Sequence, residues 1–129
     1  MAKTINWPQE FYEEIISEDS HNPKIALRIG DIYYNNGYYV NNEIVDIRVN
    51  HKIVRKAVII DDLKLYKIKD LPENTILLNK NRLKNKAEII SFLAKNYNQS
   101  VDEETLVTVI TYRNLLYEKR EIEDDPHAD

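Results

Sequence analysis

The side chains in this sequence best suited to chemistry are cations set near aromatic rings. Lys24 and Arg28 share one short apolar segment, Lys-Ile-Ala-Leu-Arg-Ile; as a pair they can hold a phosphate or the edge of a base. Lys80, Arg82, Lys84 and Lys86 recur at every second position. In an extended segment that spacing puts them on one side, as a strip that tracks a phosphodiester backbone, and each phosphate neutralised steepens the salt dependence of binding. Tyr33, Tyr34, Tyr38 and Tyr39 surround Asn35, Asn36 and Gly37. Exposed rings beside cations make a stacking platform for unpaired bases, worth roughly 1–3 kcal/mol per base; two of these four rings are expected inside and two outside. Arg48, His51, Lys52, Arg55 and Lys56 form a fourth group. It either flanks the same cleft or guards a sheet edge against pairing with another chain.

Other chemistries lack their residues. There is no phosphate-cradling glycine loop and no Gly-x-Ser-x-Gly elbow. Cysteine is absent, which removes disulfides, thiol catalysis and thiolate zinc sites. His21, His51 and His127 are isolated, and the adjacent acids Asp61-Asp62, Glu103-Glu104 and Asp124-Asp125 read as solvated turn residues. No metal site and no cofactor are expected, and no motif declares an enzyme. With 129 residues, 43% hydrophobic and 31% charged, the chain is read as one soluble domain. No apolar run approaches 18 residues, so no membrane span is expected. No basic segment leads an apolar one at the N-terminus, so a cytoplasmic location is expected. The net charge of −4 hides an uneven distribution: residues 1–22 and 118–129 carry −4 each, whereas residues 48–95 carry +7. That asymmetry keeps a local basic cleft open as a possibility while arguing against a broadly cationic duplex-coating protein.

The elements that must position these side chains follow from periodicity and punctuation. Thr4 to Trp7 reads as a short strand, and Pro8 sits at the start of a helix carrying Phe11, Tyr12, Ile15 and Ile16. Residues 24–29 read as a strand, followed by the tyrosine-rich loop. Val45, Ile47 and Val49 alternate with polar residues, and 53–60 form a second strand across a turn at Asn50-His51-Lys52. Leu63 to Ile68 continues as a strand. Asn85 is a good N-cap for a helix bearing Ile89, Ile90, Leu93 and Tyr97, with Glu88 placed to reach back in a capping box. Residues 106–112, Leu-Val-Thr-Val-Ile-Thr-Tyr, are apolar on both faces and read as a central strand. Gly37 is expected to need its glycine, and Asn35-Asn36 and Asn41-Asn42 to supply further positive-φ turns. The last dozen residues are too charged to pack and read as a disordered tail.

The order of these pieces resembles a known family. A short strand leads to Pro-x-x-Phe-Tyr-x-x-Ile-Ile (Pro8 to Ile16), then Lys-Ile-Ala-Leu-Arg, Gly30-Asp31, Gly37 and two hairpin strands. A helix ending Phe-Leu-Ala-Lys-Asn-Tyr (Phe92 to Tyr97) and the strand Val-Thr-Val-Ile-Thr-Tyr (Val107 to Tyr112) complete it. This succession resembles the ASCH domains of the PUA-like superfamily over about residues 3–116. The resemblance implies an α+β fold, a partly open β-barrel with two helices at its rim. It also implies a cleft facing the Lys24–Arg28 strand. The layout is similar to that of the small bacterial N4-acetylcytidine amidohydrolases, whose signature is Lys-x-x-Thr-x-Arg plus a glutamate before the second helix. Anchored on Arg28, that pattern places Pro23 and Ala26 at the lysine and threonine positions; anchored on Tyr97, it places Arg82 near the glutamate. Alanine supplies no hydroxyl and arginine no general base, so that reaction is not expected here.

Together these observations predict an ASCH/PUA-like domain over residues 1–117 and an acidic tail over 118–129. The expected function is binding of single-stranded RNA or a nucleotide-like ligand through Lys24, Arg28, Tyr38, Arg55, Lys80 and Arg82. The alternatives are a hydrolase acting on a modified nucleoside or RNA, and a protein-interaction module using the tail and first helix. The sequence leaves the oligomeric state open.

Overall fold

The computed structural model describes residues 2–17, 22–77 and 83–115. Strand β1 (Thr4–Trp7) leads through Pro8 and a 3₁₀ turn (Gln9–Phe11) into helix α1 (Tyr12–Ser17). Then come β2 (Lys24–Ile29), α2 (Ile32–Asn36), β3 (Ile44–Val49), β4 (Lys52–Ile59) and β5 (Lys64–Lys67). A second 3₁₀ turn (Ile68–Asp70), α3 (Glu73–Leu77), α4 (Lys86–Tyr97) and β6 (Leu106–Asn114) complete the described chain. The sheet runs β1-β3-β4-β6-β2, with β5 also paired to β6. Only β1–β3 is parallel; the other pairs are antiparallel. The result is an α+β fold with an open sheet.

Strand β6 explains its own composition. Val107 and Val109 face a core shared with Ile25, Leu27, Ile89 and Leu93, beneath α4. Ile110 and Tyr112 face the other core, with Ile5, Trp7, Ala26, Val45, Ile47 and Ala57. A strand buried on both faces must be apolar on both faces. It is also central: β2 pairs along one edge, while β5 and β4 share the other, opposite Leu106–Val109 and Tyr112–Asn114 respectively. Alternation in β2 follows the same rule, with Ile25 and Leu27 under α4 and Ala26 on the inner side.

Several turns differ from the expected ones. The tyrosine segment is not all loop: Ile32–Asn36 is a short helix closed by Gly37, whose φ of 56° makes it the left-handed C-cap. Asn35 and Asn36 are therefore helical, while positive φ falls on Asn42, Asn50, His51 and Asn98. The helix α4 N-terminus is capped as expected by Asn85, whose Oδ1 accepts from the Glu88 N–H at 2.9 Å. The Glu88 carboxylate, however, accepts from the Lys84 N–H at 2.8 Å, one residue before the capping-box position. One of the four loop tyrosines is inside, not two: Tyr39 is 4% exposed, while Tyr33, Tyr34 and Tyr38 are 36–43% exposed. The acidic tail lies outside the described residues.

The β3–β4 hairpin turns on Asn50 and His51, with φ of 51° and 69°. That left-handed pair is the geometry for which Asn-Gly is preferred, and a side chain on His51 opposes it. His51→Gly is expected to stabilise the protein by roughly 0.5–1 kcal/mol, the left-handed penalty less the entropy of glycine in the unfolded chain. A higher urea midpoint at an unchanged slope would show it.

Candidate functional site

Strands β1 and β2 stand at opposite ends of the sheet order, so among the described residues each keeps one edge without a strand partner. The Asp46 N–H donates to the Lys3 carbonyl at 2.9 Å. Carbonyl directions alternate along a strand, so those of Thr4 and Asn6 turn to the open edge. Side chains take both. The Tyr39 hydroxyl donates to Thr4 O at 2.5 Å, and Arg28 Nη2 donates to Asn6 O at 2.8 Å. Arg28 Nη1 also donates to Leu27 O, on its own strand, at 2.9 Å. One guanidinium therefore ties the edge of β1 to β2, using the fixed fork of donors that arginine alone provides. Further along β2, the Ile29 N–H donates to the Tyr97 hydroxyl at 3.3 Å.

Beside this seam lies a cavity of about 330 Å³. Trp7 and Pro8 from the end of β1, Leu27 and Arg28 from β2, and Phe92, Asn96 and Tyr97 from α4 form its walls, with Leu83 ahead of the helix. The aromatic rings hold one another in place: Trp7 meets Phe11 edge-on at 5.5 Å, and Phe11 meets Phe92 at 5.2 Å. Phe92 packs against both cores, so the groove sits where they meet. The guanidinium of Arg28 is 6.0 Å from the Trp7 ring centroid, at the outer limit of a cation–π contact. Asn96 is tied to its helix by Nδ2, which donates to Phe92 O at 2.9 Å. Its Oδ1 is left over from that bond as an acceptor. The lining thus combines apolar walls with donors on Arg28 and Tyr97 and an acceptor on Asn96. Among the described residues it includes no carboxylate, imidazole, serine or threonine.

Of the predicted ligand-binding residues, the structure brings Arg28 to the groove. Lys24 is half-buried four residues earlier on the same strand, opposite Tyr112, and does not line the cavity. Tyr38 lies in the tyrosine cluster, away from the lining. Arg55 is 6% exposed and donates through Nη1 to Ile15 O at 2.8 Å. It braces the end of α1 inside the sheet instead of flanking the groove, because the inner face of β4 alternates Arg55, Ala57 and Ile59. Lys80 and Arg82 lie outside the described residues. Pro23 precedes β2, and Ala26 is fully buried on the inner face. Sequence reasoning missed Trp7, Phe92, Asn96 and Tyr97 as groove residues. The signal was present: Asn96 interrupts the apolar stripe of Ile89, Phe92 and Leu93 at helical spacing.

Among the described residues, several cations of the basic middle are held internally. Lys56 pairs with the buried Asp46 at 2.8 Å, and Lys64 pairs with Asp61 at 3.4 Å. Lys67 and Lys69 both reach Glu104, at 3.0 and 2.7 Å. The bond from Lys69 holds Glu104 below the usual carboxylate range, and the same bond raises Lys69. Lys86 donates to Lys69 O at 2.5 Å. Burial pushes the Tyr39 hydroxyl up to about 12, opposed by the nearby charge of Arg28, so this hydroxyl remains a donor at neutral pH.

No protein-family model matches the chain, and no curated protein matches it. Among solved structures, the fold is similar to the high-resolution crystal structure of an ASCH domain from Lactobacillus crispatus JV V101. The TM-score is 0.57 at 9% identity, over 87% of this chain and 78% of that one. The chain has an ASCH-like fold.

Two outcomes follow from the seam. Arg28→Lys can restore one of the two carbonyl contacts and Arg28→Ala neither, so urea denaturation should rank stability as wild type, lysine, alanine. The alanine variant should lose roughly 1–3 kcal/mol. Because the folded Tyr39 titrates near 12 and an unfolded tyrosine near 10, its contribution is fully present below about pH 10. It is lost as pH rises towards 12. The decline in stability over that interval should be shallower in Tyr39→Phe.

Proposed function

We propose that the groove binds one base of a nucleotide or of single-stranded RNA, with Arg28 at its polar end. The observation that carries this reading is the composition of the lining: aromatic and aliphatic walls around a guanidinium, a hydroxyl donor and an amide acceptor. A flat heteroaromatic ring with hydrogen-bonding edges fits such a slot, and its volume is in the range of small-ligand sites. Stacking on Trp7 or Phe92 supplies affinity with little demand for one base over another. A modified nucleoside is within the same class. The ASCH-like fold agrees with the reading at the level of scaffold. A hydrolase would need a nucleophile or general base at the groove, and the described lining offers the Tyr97 hydroxyl, already accepting from Ile29.

Among the described residues, Lys56, Lys64, Lys67 and Lys69 are paired with carboxylates, and this sets the electrostatic expectation. With Arg28 as the cation of the lining among the described residues, affinity should depend weakly on salt. The slope of log K against log salt should be near −0.7, the value of about one phosphate contact on a single strand, not the several-fold steeper slope of a basic strip.

Trp7 is the single tryptophan of the chain, so its emission reports the groove directly. Nucleoside 5′-monophosphates or mixed single-stranded RNA at low salt should change that emission saturably. Asn96→Ala should weaken binding roughly 5- to 10-fold, as expected for loss of one hydrogen bond. Unchanged emission together with no retention of RNA on the protein at low salt would sink the proposal.

A further inference from the structure

The groove has a neighbour on the open edge of β1. Tyr39 holds Thr4 O while Arg28 holds Asn6 O. Two residues of extended strand separate these anchor points by about 7 Å, a distance that one nucleotide of an unstacked chain spans. Tyr39 is buried, but two exposed rings pack on it: Tyr38 at 4.8 Å and Tyr33 at 5.6 Å between centroids. Tyr33 and Tyr38 are themselves 5.1 Å apart. The three rings brace one another, so the outer aromatic surface is ordered before any ligand arrives. Lys3 Nζ lies 4.6 Å from the Tyr38 centroid, donates to the Tyr38 carbonyl and pairs with Glu43 at 3.1 Å.

We propose, on the premise that the groove takes a base, that the Tyr33–Tyr38 surface is a second subsite that stacks the adjacent base. The ligand is then a single-stranded nucleic acid of at least two nucleotides rather than a free nucleoside. The linking phosphate runs along the Thr4–Asn6 edge with Arg28 at its groove end; Lys3, at the other end, is already paired with Glu43. A protein partner would engage this region differently. Ile32 is the most exposed large apolar side chain in the same stretch, followed by Val40 and Ile44; docking of a second protein buries these, whereas a stacked base needs only the rings.

The test compares each nucleoside 5′-monophosphate with its homodinucleotide by Trp7 emission, alongside sedimentation equilibrium of the protein. The dinucleotide should bind roughly 5- to 150-fold more tightly, the fold-change of one stacked base. Tyr33→Leu and Tyr38→Leu, with folding checked by circular dichroism, should each pull that ratio towards one, while Ile32→Ser leaves it high. A wild-type ratio near one with mononucleotide binding intact overturns the second subsite and leaves the groove reading standing. No response to either ligand overturns both. A dimer dissociated by Ile32→Ser, with a ratio near one, assigns the surface to a second copy of the chain instead.

Discussion

The arrangement depends on how an open sheet finishes its two ends. A strand edge exposes a row of donors and acceptors that another chain can pair with, and each buried group left unmatched is costly. Closing the sheet on itself would remove both edges but also remove the space between them. Here a side chain replaces the missing ladder: the fork of Arg28 takes Asn6 O on one edge strand and Leu27 O on the other. The seam is held shut on one side, and the groove persists beside it. Trp7, Phe11 and Phe92 then set its walls through edge and tilted ring contacts instead of backbone pairing.

That arrangement changes the meaning of the basic middle. A count of cations over residues 48–95 suggests a surface made for phosphates. In the folded protein several of these cations knit elements together: Lys56 to Asp46 across β3 and β4, Lys67 and Lys69 to Glu104, and Arg55 to the end of α1. Exposed pairs such as those of Glu104 add little stability individually. They nonetheless neutralise one another as seen by a distant anion, which leaves Arg28 and the shape of the groove as its distinguishing features among the described residues.

Much of the scaffold was legible in the sequence, for identifiable reasons. The doubly apolar run Leu106–Tyr112 could only be a central strand, and Asn85 with Glu88 marked a helix start to the residue. Local geometry was less visible. Ile32–Asn36 forms a helix because Gly37 closes it and the rings of Tyr33 and Tyr38 find Tyr39; Gly37 was visible as a positive-φ position, but a five-residue segment is too short for helical periodicity to show. The site was half legible. Arg28 stood out by chemistry, but of its two carbonyl bonds the one to Asn6 O exists only because the topology brings β1 beside β2. Arg55 stood out by the same chemistry and is buried beneath α1, since strand alternation assigns its face and charge does not. Trp7 ends a strand and Phe92 lies within a helix in the sequence reading, and their place in the groove follows from how those two elements meet.

Strand β6 carries one more consequence. It is the last described element, and β2, β4 and β5 all pair with it. During synthesis, the chain before residue 106 can assemble β1, β3 and β4, whereas β2 and β5 must wait with their hydrogen-bonding groups open. The two edges that Arg28 joins belong to different stages of this sequence. β1 is in place early and β2 is seated only when β6 arrives, so the groove is among the last features to form on the ribosome. Long-range pairing of this kind is slow, and a strand such as β2 is open to aggregation for as long as its partner is missing.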